Sequence, residues 1–351
     1  MTLAALHQAK GAILAPDGIP LQYGDLAAEY DAALNKVIIL DRSHEGRVQL
    51  FGDTRFELLN RMSTNKMIDM RADEGRATIF TTPTARVIDR IVAYNRDDHL
   101  LLLTEPGQNI WLRDFLQKNI FFGDDARVVD ITLATKMFGI HGQQADAVLA
   151  ALGINVDAIA PLSGVSVTIN DATVYAVRRK DVSGQHWQVI VPENKATDSY
   201  NAILAAGAPN GIMPAGSLTY NTLRIRAARP ARPELNSDYI PLEIGLWDEI
   251  HFAKGCYTGQ EIIARMDSRE KLAKTIVALD LSEWVQAPSD ITLDGKSIGK
   301  LTSSVQAPTG DYFAIAVIKT QAIVKGTSVM VGSVRATVLG LVGEQPDYIK
   351  S

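Results

Sequence analysis

The chain has a single cysteine, Cys256, and the residues around it are of the kinds that raise thiol reactivity. Lys254 lies two residues before it, and Gly255 and Gly259 let the backbone turn sharply. A helix is expected to begin near Gln260, which would put the sulfur just before a helix N-terminus. A cationic neighbour and a helix N-terminus both favour the thiolate over the thiol. The segment therefore predicts a reactive thiol.

The opposite interpretation, in which Cys256 is a small buried hydrophobe, also stays open, because that is the usual role of an isolated cysteine. The flanking glycines and the polar pair after them argue against a structural strand here, and Thr258 is of a type that caps helices. We therefore expect Cys256 and Lys254 to take part in chemistry, and the residues that follow to bind a ligand: Tyr257, Gln260 and Glu261.

A second group of candidate residues is acidic or aromatic. Glu243 lies in an apolar stretch, so we expect it to be partly buried and to need a partner, which Arg224 or Arg265 could supply. For this carboxylate, a place in a site and an internal salt bridge are both open. Trp187 and Tyr220 could wall an aromatic ligand, although aromatic side chains usually fill cores. The six histidines show no metal-ligand spacing, and no metal site is expected.

The overall composition is that of an ordinary globular protein. The 351 residues are 46% hydrophobic and 21% charged, with a net charge of −5. This balance argues against nucleic-acid binding driven by bulk charge, and one cysteine permits no internal disulfide. The first residues lack the pattern of a signal or transit peptide, and no run approaches roughly eighteen apolar residues. A cytoplasmic protein with no membrane or nucleic-acid partner is therefore expected.

The elements that must position these residues follow one another in mixed order, which predicts an α+β protein. Apolar spacing predicts helices over 106–122, 143–152, 195–206 and 217–227, and Asp53 is expected to open another. After residue 271 the pattern changes to short β-rich runs separated by Asp-Gly and Thr-Gly turns, from 275 to 341. This spacing predicts a small β-barrel or sandwich, with a domain boundary near residue 272.

Residues 254–261, Lys-Gly-Cys-Tyr-Thr-Gly-Gln-Glu, resemble the signature of the YgfZ-type folate-binding proteins, whose mitochondrial relatives serve iron–sulfur cluster assembly. Those proteins belong to the superfamily of the glycine-cleavage T protein, an aminomethyltransferase. Further segments resemble the superfamily in its order and spacing, from about residue 41 to 340: 52–65, 81–89, 139–142, 207–225, 240–246 and 299–316.

The resemblance implies three subdomains that close around a central channel admitting folate, followed by a C-terminal β-barrel. Residues 1–271 would form the folate-binding α+β region, with interleaved subdomains over about 1–125 and 126–271, and residues 272–351 would form the barrel. It also implies tetrahydrofolate, or a related folate, as the cofactor, and iron–sulfur assembly or client proteins as partners.

Ala85 stands where the family usually has a glycine, and two further departures from the T-protein pattern bear on the folate site. Arg226 stands where the T proteins carry the glutamate that binds the pterin, and an arginine cannot accept hydrogen bonds. Glu243 is the candidate to replace that glutamate, and Arg224 and Arg226 are also counted among the folate-binding residues. Alternatively, Arg226 lies on a solvated helix face. Asp89 matches one acid of the pair that orients the reactive folate nitrogen, and Arg90 replaces the other. Asp89 could equally be an acid at the edge of a strand, and Arg90 could pair with a surface acid.

Three functions follow as hypotheses. The first is a tetrahydrofolate-binding protein that supports iron–sulfur cluster assembly or repair with Cys256 as its reactive thiol. One thiol cannot hold a cluster alone, so its role would be bridging or transient. The second is a folate-dependent aminomethyltransferase, against which Arg226 and Arg90 argue. The third is a non-enzymatic binder of another anionic aromatic ligand.

Overall fold

The structure, a computed structural model, describes residues 2–346 and residue 349. The chain divides into two compact units. Unit 1 comprises the residues up to Leu58 together with Asp69–Arg76 and Val92–Leu223. Unit 2 comprises Leu59–Ile68, Ala77–Ile91 and the chain from Arg224 onward.

The helices and strands alternate irregularly along the chain, as expected for the α+β class, which is confirmed. The helices are α1 (Leu3–Ala9), α2 (Leu26–Asn35), α3 (Arg55–Met62), α4 (Asn109–Lys118), α5 (Ala145–Ala151), α6 (Ala196–Gly207), α7 (Ser217–Arg226) and α8 (Gln260–Ser268). The strands up to residue 142 are β1 (Ile13–Leu14), β2 (Pro20–Gln22), β3 (Val37–Asp41), β4 (Glu45–Phe51), β5 (Gly75–Thr81), β6 (Val87–Asn95), β7 (His99–Pro106), β8 (Arg127–Asp130) and β9 (Thr135–Gly142). The later strands are β10 (Gly164–Ile169), β11 (Ala172–Arg178), β12 (Gln185–Pro192), β13 (Ile212–Ala215), β14 (Lys274–Leu281), β15 (Ser289–Leu293), β16 (Lys296–Gln306), β17 (Tyr312–Lys319), β18 (Ser328–Val331) and β19 (Val334–Leu341).

Unit 1 contains a six-stranded sheet with the order β10-β11-β12-β9-β3-β13, antiparallel except for the pairing of β13 with β3. One face of this sheet is apolar and packs against residues of α1, α5 and α6, with Trp187, Phe138 and Ile140 in the core. Because side chains alternate across a strand, the neighbouring residues face the other side, which carries apolar residues such as Ile38 as well as polar ones. We call its polar part, with His141, His186 and Gln188 and the adjoining Arg42 and Glu45, the polar face. A second sheet has the order β5-β6-β7-β4-β8.

Unit 2 contains a closed barrel with the strand order β14-β17-β16-β15-β18-β19. Its interior is filled by alternate aliphatic residues such as Val277, Leu301 and Val338. Closure leaves no open strand edge in this barrel. The barrel predicted from the β-rich runs is thereby confirmed, and the strands begin at Lys274.

Two helices are shorter than the sequence predicted. The helix expected over 106–122 occupies Asn109–Lys118, because Pro106 ends β7 and Gly107 adopts a left-handed φ of 72°. The helix expected to open at Asp53 begins at Arg55. Local sequence marks the presence of a helix more sharply than its ends.

Candidate functional site

The polar face of the six-stranded sheet gathers charged and aromatic residues that are far apart in sequence. His186 lies opposite His141 in the register of β12 and β9, and Gln188 lies opposite Gly139. The two imidazole rings stack with their centroids 3.8 Å apart. An ideal Cβ at position 139 would lie 3.0 Å from Nε2 of His141, so glycine leaves the room that these side chains use.

An arginine–glutamate pair at the turn between β3 and β4 anchors this polar face. The guanidinium of Arg42 contacts Oε1 of Glu45 at 2.5 Å, and both side chains are buried. Gln188 Nε2 donates to the other carboxylate oxygen at 2.8 Å. Burial would raise the pKa of Glu45, but the two guanidinium groups of Arg42 and Arg179 outweigh it and hold the pKa at about 2. Glu45 is therefore ionised at neutral pH.

Tyr220, which the sequence offered as a ligand wall, lies on this polar face. The Arg42 guanidinium stands 3.9 Å above its ring, and the ring meets His141 edge-on at 5.5 Å. Tyr220 is thus held by a cation on one side and by an imidazole at its edge.

Three buried polar atoms in this group have no hydrogen-bond partner among the described residues: Arg179 NH1, Gln188 Oε1 and His44 Nδ1. Burial and the Arg42 guanidinium lower the pKa of His44 to about 4, so it is neutral at pH 7. Orphaned donors and acceptors in a buried place are costly unless a ligand or water satisfies them. Sequence reasoning missed this group, and its only local signal is polar residues alternating along β12, at 186 and 188.

The segment around Cys256 lies in unit 2. Cys256 is exposed, whereas Lys254 is buried. The Lys254 ammonium donates to the backbone carbonyls of Asn60, Ser63 and Asn65, each at 2.6 Å. Burial lowers the pKa of this ammonium to about 7. The lysine therefore clamps the end of α3 and the turn after it, and its three bonds are to backbone oxygens.

Gly259 fixes the other end of the segment. Gly259 adopts a φ of 87°, and a Cβ there would lie 2.6 Å from the Thr81 hydroxyl, so only glycine fits. Thr81 Oγ1 donates to the carbonyl of Thr258 at 2.5 Å. Gly259 is also the residue that precedes α8, which has no side-chain cap, so the capping role expected of Thr258 was wrong.

The remaining residues of the segment differ in exposure. Tyr257 is buried in a cluster with Trp247 and Ile263. Gln260 is half-buried and donates to the Lys254 carbonyl at 3.4 Å. Glu261 is exposed and pairs with Arg265 across one turn of α8. Five residues of this segment were predicted to act in a site: Lys254, Cys256, Tyr257, Gln260 and Glu261. Of these five, only Cys256 and Glu261 are exposed to solvent.

Asp89 and Arg90 are both buried, and Arg90 lies in an internal ion pair. Its guanidinium donates two nitrogens to the Glu249 carboxylate at 2.5–2.9 Å, with both side chains at most 10% exposed. The prediction that Arg90 pairs with an acid on the surface was wrong, because Arg90 and Glu249 are both buried. Asp89 is fully buried and lies 3.5 Å from the guanidinium of Arg232. The Glu249 carboxylate thus neutralises the positive charge of Arg90 locally.

Glu243 is buried and caps the 3-10 turn Pro241–Ile244. Its carboxylate accepts the Ile240 N–H at 3.0 Å, and the cations of Lys274 and Arg86 lie 3.7 and 3.8 Å away. Burial raises the pKa of Glu243. Its ion partners are therefore Lys274 and Arg86, where the sequence offered Arg224 or Arg265.

Arg224 and Arg226 have different environments although both lie in the last turn of α7. Arg224 is buried, 3.5 Å from Glu234, and donates to the Ser303 hydroxyl at 3.1 Å. Arg226 is exposed, which matches the solvated-face reading. Trp187 is fully buried in the core of unit 1, where its indole N–H donates to Asp146 at 2.6 Å.

In the described part of the chain, no three His, Cys, Asp or Glu side chains lie close enough to hold a metal ion. Each helix in the same part of the chain is too short or too polar to span a lipid bilayer.

Comparison with known proteins gives a consistent result. Residues 3–254 match the model of the GCVT N-terminal domain family. A chloroplastic protein of Arabidopsis thaliana, described as a transferase, is 31% identical over 347 residues, covering 96% of this chain and 77% of that protein. An aminomethyltransferase of Bacillus velezensis is 25% identical, covering 94% of this chain and 92% of that protein. The crystal structure of the glycine-cleavage aminomethyltransferase T of Bartonella henselae superposes with a TM-score of 0.86 at 19% identity, over 97% of each chain, so this chain has the same fold. The chain belongs to the GCVT N-terminal domain family.

Proposed function

We propose that the protein binds tetrahydrofolate and supports iron–sulfur cluster assembly or repair through the thiol of Cys256, as a YgfZ-type member of its family. The observation that carries the proposal is the contrast within one segment: Cys256 is exposed, while Lys254 and Tyr257 beside it are buried. A sulfur presented on an anchored segment can meet a partner protein in a fixed geometry.

The folate part of the proposal is supported by family membership and by the polar face in unit 1. Tetrahydrofolate carries a pterin with hydrogen-bond donors and acceptors on its edges. The polar face offers both kinds of group without protein partners among the described residues, a donor at Arg179 and an acceptor at Gln188. Relatives of comparable length are named aminomethyltransferases, a class of enzyme that uses tetrahydrofolate.

Because the chain has a single thiol, its proposed role with iron–sulfur clusters is limited to sharing a cluster with another protein. Clusters are usually held by about four thiolates, so Cys256 would act together with thiolates of a client or assembly protein. Its thiolate would be one ligand of a cluster whose other ligands come from the partner protein. This role requires the sulfur to be reachable, and it is.

The test compares Cys256→Ser and Cys256→Ala with the unchanged protein in cells that lack it. We expect both variants to accumulate and to bind tetrahydrofolate with unchanged affinity, but to fail to restore the activity of iron–sulfur enzymes. Full restoration by either variant contradicts the role of the thiol.

The folate assignment is tested separately by calorimetric titration of tetrahydrofolate under anaerobic reducing conditions. We expect Arg179→Met to weaken binding at least about tenfold, the loss of one charge-assisted hydrogen bond in a buried place. Arg335→Met, at an exposed arginine of the barrel, is the matched control and should bind as the unchanged protein does. Arg226→Glu, on the exposed end of α7, tests separately whether the T-protein glutamate improves affinity. Tight binding of other anionic aromatic compounds with no binding of folates would instead favour the third hypothesis.

An aminomethyltransferase activity is the second candidate, and the names of the relatives favour it. It predicts that an aminomethyl donor and tetrahydrofolate give methylenetetrahydrofolate, ammonia and the freed donor. Absence of product in a sensitive assay, with folate binding intact, removes it.

A further inference from the structure

Unit 2 contains a cavity of about 760 Å³ beside the C-terminal end of α8, and its lining does not include Cys256. Its size lies within the range of roughly 300–1,000 Å³ that is usual for small-molecule sites. Ile240, Met266 and Leu272 supply apolar lining. This combination of volume and apolar wall is that of a ligand site.

The wall of the cavity is fixed by hydrogen bonds between the barrel and the chain that enters it. The Thr320 hydroxyl donates to the Leu272 carbonyl at 3.0 Å, and the Thr320 N–H donates to the Ala273 carbonyl at 3.2 Å. Because Thr320 directly follows β17, the barrel holds this part of the lining in place.

The charges at the cavity are unequally matched. Glu243 lines the cavity but already faces Lys274 and Arg86. Arg265 is paired with Glu261. Among the described lining residues, the charges without an ion partner are those of residues 269–271, two cations and one acid.

These three residues form a tight turn, since Glu270 adopts a left-handed φ of 49° directly after α8. Arg269 and Lys271, on either side of it, both line the cavity and are exposed. Neither forms a salt bridge within residues 2–346. Within the described residues, this turn therefore carries one net positive charge beside an apolar wall.

We infer that this cavity binds an amphipathic carboxylate, a small molecule with an apolar body and one anionic head. The apolar body packs against Met266 and Leu272, and the carboxylate lies between Arg269 and Lys271. A guanidinium binds a carboxylate with two parallel hydrogen bonds, so Arg269 is the main anchor.

The test uses decanoate as the probe and decyltrimethylammonium, which has the same tail and the opposite charge, as the control ligand. We expect decanoate to bind in calorimetry with an affinity that falls as salt is added, and the cation to bind at least about tenfold more weakly. Equal binding of the two ligands overturns the assignment of the anionic head.

Variants locate the site. Arg269→Gln combined with Lys271→Gln changes two exposed residues, so the fold is retained, and we expect at least a tenfold loss of decanoate affinity. Lys325→Gln combined with Arg335→Gln, two exposed cations outside the cavity lining, is the matched control and should bind as the unchanged protein does. Ala273→Trp, which fills the cavity from its wall, should abolish binding. Decanoate binding that survives Ala273→Trp, or no binding to the unchanged protein at millimolar concentration, overturns the inference.

Discussion

The two candidate regions of this molecule are built in opposite ways. The segment around Cys256 is contiguous, with its reactive group, its lysine and its glycines within six residues. The polar face of the six-stranded sheet draws its groups from residues 42 to 220, and strand pairing brings them together. The first is legible as a motif, whereas the second exists only once the sheet has formed.

The comparison also shows where each region places its charge. In the segment, the lysine is buried and bound to backbone carbonyls, so its role is to hold the chain. On the sheet face, two guanidinium groups act on one carboxylate, and one of them has an unsatisfied nitrogen among the described residues. Charge in the first region is structural, and in the second it is available for a ligand.

The largest effect is expected from the ion pair that leads into the Cys256 segment. Arg90→Met leaves the buried Glu249 carboxylate unpaired, and we expect a loss of about 3–5 kcal/mol in the free energy of unfolding, measured by urea denaturation. The exposed pair in α8 supplies the control, since Arg265→Met should cost less than about 1 kcal/mol. Equal costs for the two variants would show that the buried pair does not anchor this region.

A change on the sheet face should show in the acid range. The folded-state pKa of Glu45, about 2, lies below its ordinary value, so its ionisation stabilises the fold above pH 4.5. Glu45→Gln should lower the free energy of unfolding by about 3 kcal/mol at pH 7, and the difference should shrink as the pH falls from 4.5 toward 2. A difference that does not vary over this pH range would contradict the assignment.

The clamp in the Cys256 segment should cost less to remove. Lys254→Met deprives three backbone carbonyls of their donor, and we expect a loss of about 2 kcal/mol. Because the anchor of the segment is lost, amide hydrogen exchange at residues 255–258 should accelerate. Lys254→Arg, which keeps a cation, should recover part of the stability, and unchanged exchange in Lys254→Met would refute the clamp.

The smallest effect on stability is expected at the thiol itself. Cys256→Ser alters an exposed side chain, so the free energy of unfolding should change by less than about 0.5 kcal/mol. Thermal unfolding measures this directly. A larger loss would mean that the sulfur packs in the fold, and that a failure of this variant in cells has a structural cause.

Much of the fold was predictable because its signals are local. Short β-rich runs after residue 271 predicted the barrel. Its last two strands, Ser328–Val331 and Val334–Leu341, are joined by a two-residue turn at Gly332. Helix ends were less predictable, as at Asn109, because they depend on where the preceding strand stops. The ion pair of Arg90 with Glu249 spans 159 residues and has no local signal.

The sequence by itself determined the class of the fold, the barrel and the conspicuous segment at Cys256, since each depends on residues close together in the chain. Only the tertiary structure decided that Lys254 is a clamp, that Trp187 is core and that Arg42, Gln188 and Tyr220 share one face. The reason is physical: burial and long-range pairing set the environment of a side chain, and they depend on partners that no short stretch of sequence contains.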